Sequence, residues 1–117
     1  MTRPVRDRAT FEVLARARRL RSGPIWLRCA PSSDADVSGA RAPGPRVAYT
    51  ITKAAGNAVD RNRIRRRLRA AVAAREPQLD PERVYLFGAD RRVLHAPFAA
   101  IDNALGELLR AASELER

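Results

Sequence analysis

Along the chain, stretches with a helical repeat of apolar positions alternate with short runs in which apolar residues recur at every second position. Between residues 7 and 20, Phe11, Leu14, Ala15 and Ala17 stand among Arg16, Arg18 and Arg19, the spacing of a short amphipathic helix with a basic outer face. Gly23-Pro24 interrupts that pattern, and Ile25-Trp26-Leu27-Arg28-Cys29 follows as a β-prone run before Pro31. The segment from 31 to 45 is rich in Ser, Asp, Gly, Ala and Pro, which predicts a flexible loop joining two strands. In Val47-Ala48-Tyr49-Thr50-Ile51-Thr52 large apolar residues alternate with small or hydroxyl ones. That alternation predicts a half-buried strand turning Val47, Tyr49 and Ile51 to the core.

The second half repeats the alternation of periods. Asn57 suits the cap of a helix, and Asp60, three residues on, suits the positive end of its dipole. Ile64, Leu68, Ala71 and Val72 then fall at i, i+4, i+7 and i+8 as one buried stripe. The helix should run from 57 to about Glu76, because Pro77 cannot continue it. Val84-Tyr85-Leu86-Phe87 reads as a central strand ending near Gly88. Beyond Pro97, the apolar positions Phe98, Ile101, Leu105, Leu108, Leu109, Ala112 and Leu115 keep a helical period to the end of the chain. The order helix, strand, strand, helix, strand, helix predicts an α+β sandwich of helices on a small sheet, in a single domain spanning residues 1–117.

Composition narrows what such a domain binds. Of 117 residues, 45% are hydrophobic and 31% charged, so the chain can bury a core and is not a disordered polyelectrolyte. Lys and Arg number 23 against 13 Asp and Glu, a formal charge of +10, which calls for a polyanionic partner, nucleic acid before an anionic membrane. No apolar run is long enough to span a bilayer, and Met1-Thr2-Arg3-Pro4 leads into charged residues without a signal-peptide stretch. A cytoplasmic protein with no membrane partner is expected. One Cys and one His exclude an intrachain disulfide and an ordinary zinc site.

The charge is concentrated. Six arginines lie between residues 61 and 69, in the helix that Asn57 opens. At about 100° per residue, Arg61, Arg65 and Arg69 form a row bordering the Ile64 and Leu68 stripe, while Arg63, Arg66 and Arg67 cover the remaining arc. Like charges three and four apart repel in the free protein, and a polyanion relieves that repulsion. Arginine adds forked hydrogen bonds to phosphate and stacking on bases, which suits folded RNA. The plainer reading is a solvated basic helix, but with only Asp60 nearby the run has few acidic partners of its own.

The string from Val47 to Arg69 resembles the signature of the bacterial ribonuclease P protein component. Val47-Ala48-Tyr49-Thr50-Ile51-Thr52-Lys53 is similar to that family's strand, Gly56-Asn57-Ala58-Val59 to its G-N-A-V turn, Arg61-Asn62-Arg63 to its R-N-R, and Arg65-Arg66-Arg67-Leu68-Arg69 to the basic run that follows. Phe11, the element order and the length agree with the same family. The resemblance implies a two-layer α/β sandwich in which the arginine-rich helix enters through a left-handed βαβ crossover, opposite to the usual hand. It implies a protein subunit that binds the ribonuclease P RNA through Arg61, Asn62, Arg63, Arg65, Arg66 and Arg69. It also implies a cleft for the 5′ leader of precursor tRNA, lined by Phe11, Thr50, Thr52 and Lys53. Cleavage would belong to the RNA subunit and the Mg²⁺ it mainly holds, with no catalytic side chain and no obligate protein partner.

Where the family places Gly after the first helix this chain has Arg18. Where further cleft aromatics are expected it has Ala15 and Cys29, and Phe87, Gly88 and Ala89 stand where the last strand commonly ends in Arg, with Arg91 and Arg92 following. Trp26 reads as a packing residue of its strand, Cys29 as a small hydrophobe and His95 as a turn residue. Two other classes stand beside this reading. One is a nucleic-acid-binding module that inserts helix 57–76 into a duplex groove, which needs a helix before Gly56 where the pattern predicts a strand. The other is a nuclease in its own right, for which Asp34, Asp36, Asp60, Asp80, Asp90 and His95 show no grouped motif.

Overall fold

The computed structural model describes residues 3–5, 8–31 and 45–115. Among them the chain forms β1 (Arg3–Pro4), α1 (Arg8–Arg16), β2 (Leu20–Ser22), β3 (Ile25–Pro31), β4 (Arg46–Thr50), α2 (Ala58–Ala74), β5 (Arg83–Ala89) and α3 (Phe98–Leu115). The strands make one mixed sheet in the order β1-β4-β5-β3-β2. β5 is central as expected, parallel to β4 and antiparallel to β3, so β4, α2 and β5 form a parallel crossover between neighbouring strands.

Alternation along the strands gives the sheet two different faces. Val47, Tyr49, Ile25, Leu27, Tyr85, Phe87 and Ala89 point to the face covered by α2 and α3, where they meet Ile64, Leu68, Val72, Ile101, Leu105 and Leu108 in the main core. The rings of Tyr49, Phe87 and Tyr85 lie in a row across β4 and β5, with centroids 6.1 and 5.9 Å apart. On the other face α1 covers only part of the sheet, burying Leu14 against Ala30 and Val84. The stripe expected on α2 is the buried one, Ile64, Leu68, Ala71 and Val72. Asn57 caps that helix, its side chain accepting from the Asp60 amide at 2.9 Å.

The first third differs from the sequence expectation. α1 ends at Arg16, well short of residue 20, because Arg28 reaches over from β3 and donates to the carbonyls of Ala15 and Ala17 at 2.7 and 3.1 Å. Leu20–Ser22 then turns about Gly23-Pro24 to pair with Ile25–Leu27, a hairpin whose first strand is too short to carry a periodic signal. β1 is likewise unannounced, pairing in parallel with Arg46 and Val47. β4 stops at Thr50, and Lys53–Ala55 form a 3-10 turn, so the strand expected to reach Thr52 is two residues shorter. α2 ends at Ala74, and Pro77 falls in a second 3-10 turn, Glu76–Gln78. The loop predicted for 31–45 falls almost wholly at 32–44, outside the described residues.

Candidate RNA interface

Three arginines fix α2 to its neighbours. Arg67 donates to the carbonyls of Val93 and, at 2.7 Å, Ala96 in the turn after β5. That turn answers through Arg91, whose Nη1 donates to Asp60 Oδ2 at 2.9 Å and to the Ala55 carbonyl at 3.3 Å. At the far end Arg75 forks onto Asp102 of α3 at 2.7 and 3.0 Å, which raises the guanidinium's pKa and lowers that of the carboxyl. The Arg91–Asp60 pair also accounts for Gly56. Its φ of 137° is open to glycine, and a Cβ there would lie 2.7 Å from both Arg91 Nη1 and Asp60 Oδ2.

The remaining residues of the basic run project from the helix. Asn62, Arg63, Arg66 and Arg69 are exposed, while Arg61 and Arg65 are half-buried along the border of the core stripe. Among the described residues none of these arginines has a carboxylate at salt-bridge distance. Asn62, the neutral member, accepts from Arg65 Nη1 at 3.0 Å. Arg69 stands 5.5 Å over the ring of Tyr49, which puts this face beside β4. Burial pushes the Tyr49 phenol up to about 12, with the positive charge of Arg69 opposing the shift. At neutral pH the phenol is therefore uncharged and the patch keeps its full positive charge.

Of the residues expected to line a cleft, Thr50 lies on the other face of the sheet, Thr52 and Lys53 follow the end of its strand, and Phe11 belongs to α1, which packs on that face. Thr50 is half-buried on the face opposite Val47 and Tyr49, as alternation predicts. Thr52 lies past the end of β4, exposed, at the start of the 53–55 turn, so the turn and not the pleat sets its direction. Lys53 is exposed in that turn. Phe11 sits on α1 next to the buried Thr10 and 40% exposed, with Thr10 accepting at 3.1 Å from Arg46 of β4. Arg46 thus joins the helix to the strand that carries Thr50.

Two departures from expectation reshape this face. Cys29 points to the α3 side with Ile25 and Leu27, so it does not stand where a cleft ring would be. Trp26 does. It lies in register with Gly88, and a Cβ on Gly88 would come within 2.0–2.5 Å of three indole atoms, so the ring rests on the backbone of β5. The Arg19 guanidinium sits 4.9 Å from its centroid. The sequence signal was there: in β3 Trp26 alternates with Ile25 and Leu27 and shares its side with Arg28. Arg92 is likewise engaged, forking with Arg21 onto Asp90, which holds the Asp90 carboxyl below the usual range.

Among the described residues no three His, Cys, Asp or Glu side chains gather as metal ligands would, and no helix is long and apolar enough to cross a membrane. The residues before α2 are a strand and a single 3-10 turn, so the paired helices of a helix-turn-helix are not present there. The family model described as ribonuclease P matches residues 2–113. The chain belongs to the ribonuclease P family. A ribonuclease P protein component of Brucella melitensis biotype 1 is 35% identical over 113 residues, 94% of this chain and 79% of that protein. One of Gluconacetobacter diazotrophicus is 37% identical over 111 residues, 92% and 89% of the two chains. The fold is that of the Staphylococcus aureus RNase P protein, with a TM-score of 0.71 at 17% identity over 93% of this chain and 94% of that one. The RNase P protein of Thermotoga maritima gives 0.73 at 13% identity, covering 92% and 96%. Membership makes this chain the RNA-binding protein subunit of ribonuclease P, the ribonucleoprotein of tRNA 5′ maturation, and associates it with the ribonuclease P RNA.

Proposed function

We propose that α2 is the face that docks on the ribonuclease P RNA, through Arg61, Asn62, Arg63, Arg65, Arg66 and Arg69. The opposite face of the sheet takes the 5′ leader of precursor tRNA through Phe11, Thr50, Thr52 and Lys53. The observation that carries this reading is the position of β4. Tyr49 on one side of the strand lies under Arg69, Thr50 turns to the open side, and the chain passes from one surface to the other through the turn holding Lys53. Hydroxyls and an ammonium bind phosphate and sugar without reading base sequence, which suits a subunit that must accept many leaders.

Mg²⁺ belongs mainly to the RNA subunit in this reading, as the resemblance to the family implies. This chain's part is to neutralise phosphates and to hold the leader in place. The test is a holoenzyme reconstituted with a bacterial ribonuclease P RNA at low Mg²⁺. Lys53→Ala should weaken binding of precursor tRNA and leave mature tRNA, which has no leader, almost unchanged. Equal weakening for both would place Lys53 off the leader path.

A further inference from the structure

We infer that Arg91 is a positioning residue that ties the two RNA-binding surfaces together, holding the turn of Lys53 in a fixed place against the first turn of α2. Docking of α2 on the RNA subunit then also places the ammonium that meets the leader. This rests on the reading of Lys53 as a leader contact and of Arg61, Asn62 and Arg63 as docking residues, and adds the part that links them.

The backbone alone joins those surfaces weakly. Only Gly56 and Asn57 stand between the 3-10 turn Lys53–Ala55 and α2, and Gly56 has a φ of 137°, a state that suits a residue without a side chain. Such a joint has nothing of its own to pack. Its space is filled from elsewhere: a Cβ on Gly56 would meet Arg91 Nη1 and Asp60 Oδ2 at 2.7 Å and the Asp60 Cβ at 2.8 Å. Arg91 reaches this place from the turn after β5, and that turn is itself held to α2 by Arg67 through the carbonyls of Val93 and Ala96.

Both bonds of the brace leave one nitrogen. Arg91 Nη1 donates to the Ala55 carbonyl at 3.3 Å on the turn side and to Asp60 Oδ2 at 2.9 Å on the helix side, one hydrogen for each acceptor. On the turn side the carbonyls of Thr52 and Lys53 accept from the amides of Ala55 and Gly56, so fixing Ala55 fixes Lys53 in the same turn. On the helix side the Asp60 amide is bound to Asn57 Oδ1, and the next residue is Arg61. Charge adds a second effect. Asp60 is the only carboxylate between Lys53 and Arg69, and Arg91 neutralises it where the docking face begins, so that face presents cations to phosphate. The pair lies partly in solvent, with 57% of the Arg91 side chain and 24% of that of Asp60 exposed. Pairs of that kind add little to stability, so the role of Arg91 is geometric and a binding assay reads it better than a melt.

The test uses holoenzyme reconstituted with a bacterial ribonuclease P RNA, with affinities measured for precursor and mature tRNA. Arg91→Ala should weaken precursor tRNA about fivefold, the low end of coupling between sites, while mature tRNA and the Tm of the protein stay nearly unchanged. In a Lys53→Ala background the same replacement should add nothing, because the group it positions is gone. Arg91→Lys should recover most of the affinity, since a single nitrogen makes both bonds and an ammonium has donors enough for them. Asp60→Asn keeps the backbone cap and removes the charge of the pair. It should give a smaller loss of the same kind, and it decides the matter if Arg91→Ala lowers Tm. Where Lys53→Ala is selective for precursor tRNA, this inference alone is overturned by any of three results: no loss from Arg91→Ala, a loss shared equally by both tRNAs, or full additivity with Lys53→Ala. Equal weakening of both tRNAs by Lys53→Ala overturns the leader reading, and the coupling falls with it.

Discussion

At the scale of single residues, the helical period named the buried stripe of α2 in full and most of that of α3, where Phe98 and Leu115 at the two ends are exposed. All four stripe residues of α2 are buried, and Leu68 is fully so. Leu68→Ala should lower stability by ~2–5 kcal/mol, read as a fall in Tm. Strand residues were less legible: alternation tells which side chains share a face, but which face is covered depends on where α1 lands. Trp26 could be paired with Arg28 from the sequence, yet only the fold reveals that Arg28 meets the end of α1 while Trp26 rests on Gly88. Tyr49 gives a pH test. Its phenol titrates near 10 when unfolded and at about 12 when folded, so above pH ~10 the unfolded chain holds fewer protons than the native one. Its share of stability is intact below pH 10 and is lost as pH rises toward 12. Tyr49→Phe should flatten that part of the stability profile in alkaline unfolding experiments.

At the scale of elements, the run of arginines divides by what each touches. Arg67 serves carbonyls of the turn after β5, whereas Arg69 is exposed and Arg65, at the border of the core stripe, donates only to the exposed Asn62. Arg67→Ala should cost ~1–3 kcal/mol, the value of a charged donor's hydrogen bonds, and loosen α2 without changing how binding responds to salt. Arg65→Ala with Arg69→Ala should do the reverse, leaving Tm nearly unchanged because neither side chain has a carboxylate partner among the described residues and surface charges add little stability. A pair of circular-dichroism melts separates the two classes. Composition could not make this division, since arginines that bind carbonyls and arginines left without a carboxylate look alike until the turn at 91–94 is folded against α2. The β2 hairpin was hidden for a related reason: three residues are too few for a period, and their pairing is dictated by β3.

At the scale of the whole molecule, the excess of positive charge was plain from composition, while the strand order β1-β4-β5-β3-β2 was not, because it depends on pairings between distant segments. That order is what separates the two surfaces, α2 serving one side of β4 and the open face the other. Binding to the RNA subunit should weaken steeply with salt. The Arg65 and Arg69 double replacement should reduce the slope of log affinity against log salt by roughly 1.5, about 0.7–0.9 for each phosphate left without its arginine. An unchanged slope in filter-binding titrations would move the docking face elsewhere. The close approach of Trp26 to Gly88 also limits how this surface can be rebuilt. The two positions share one side-chain volume between neighbouring strands, so enlarging either requires shrinking the other. Gly88→Ala alone should expel the indole, whereas Trp26→Gly combined with Gly88→Trp should refill the gap and shift the aromatic surface one strand toward β4, by about 4.8 Å. The pair is a movable tile, and its position becomes a design variable for the spacing between the indole and Lys53.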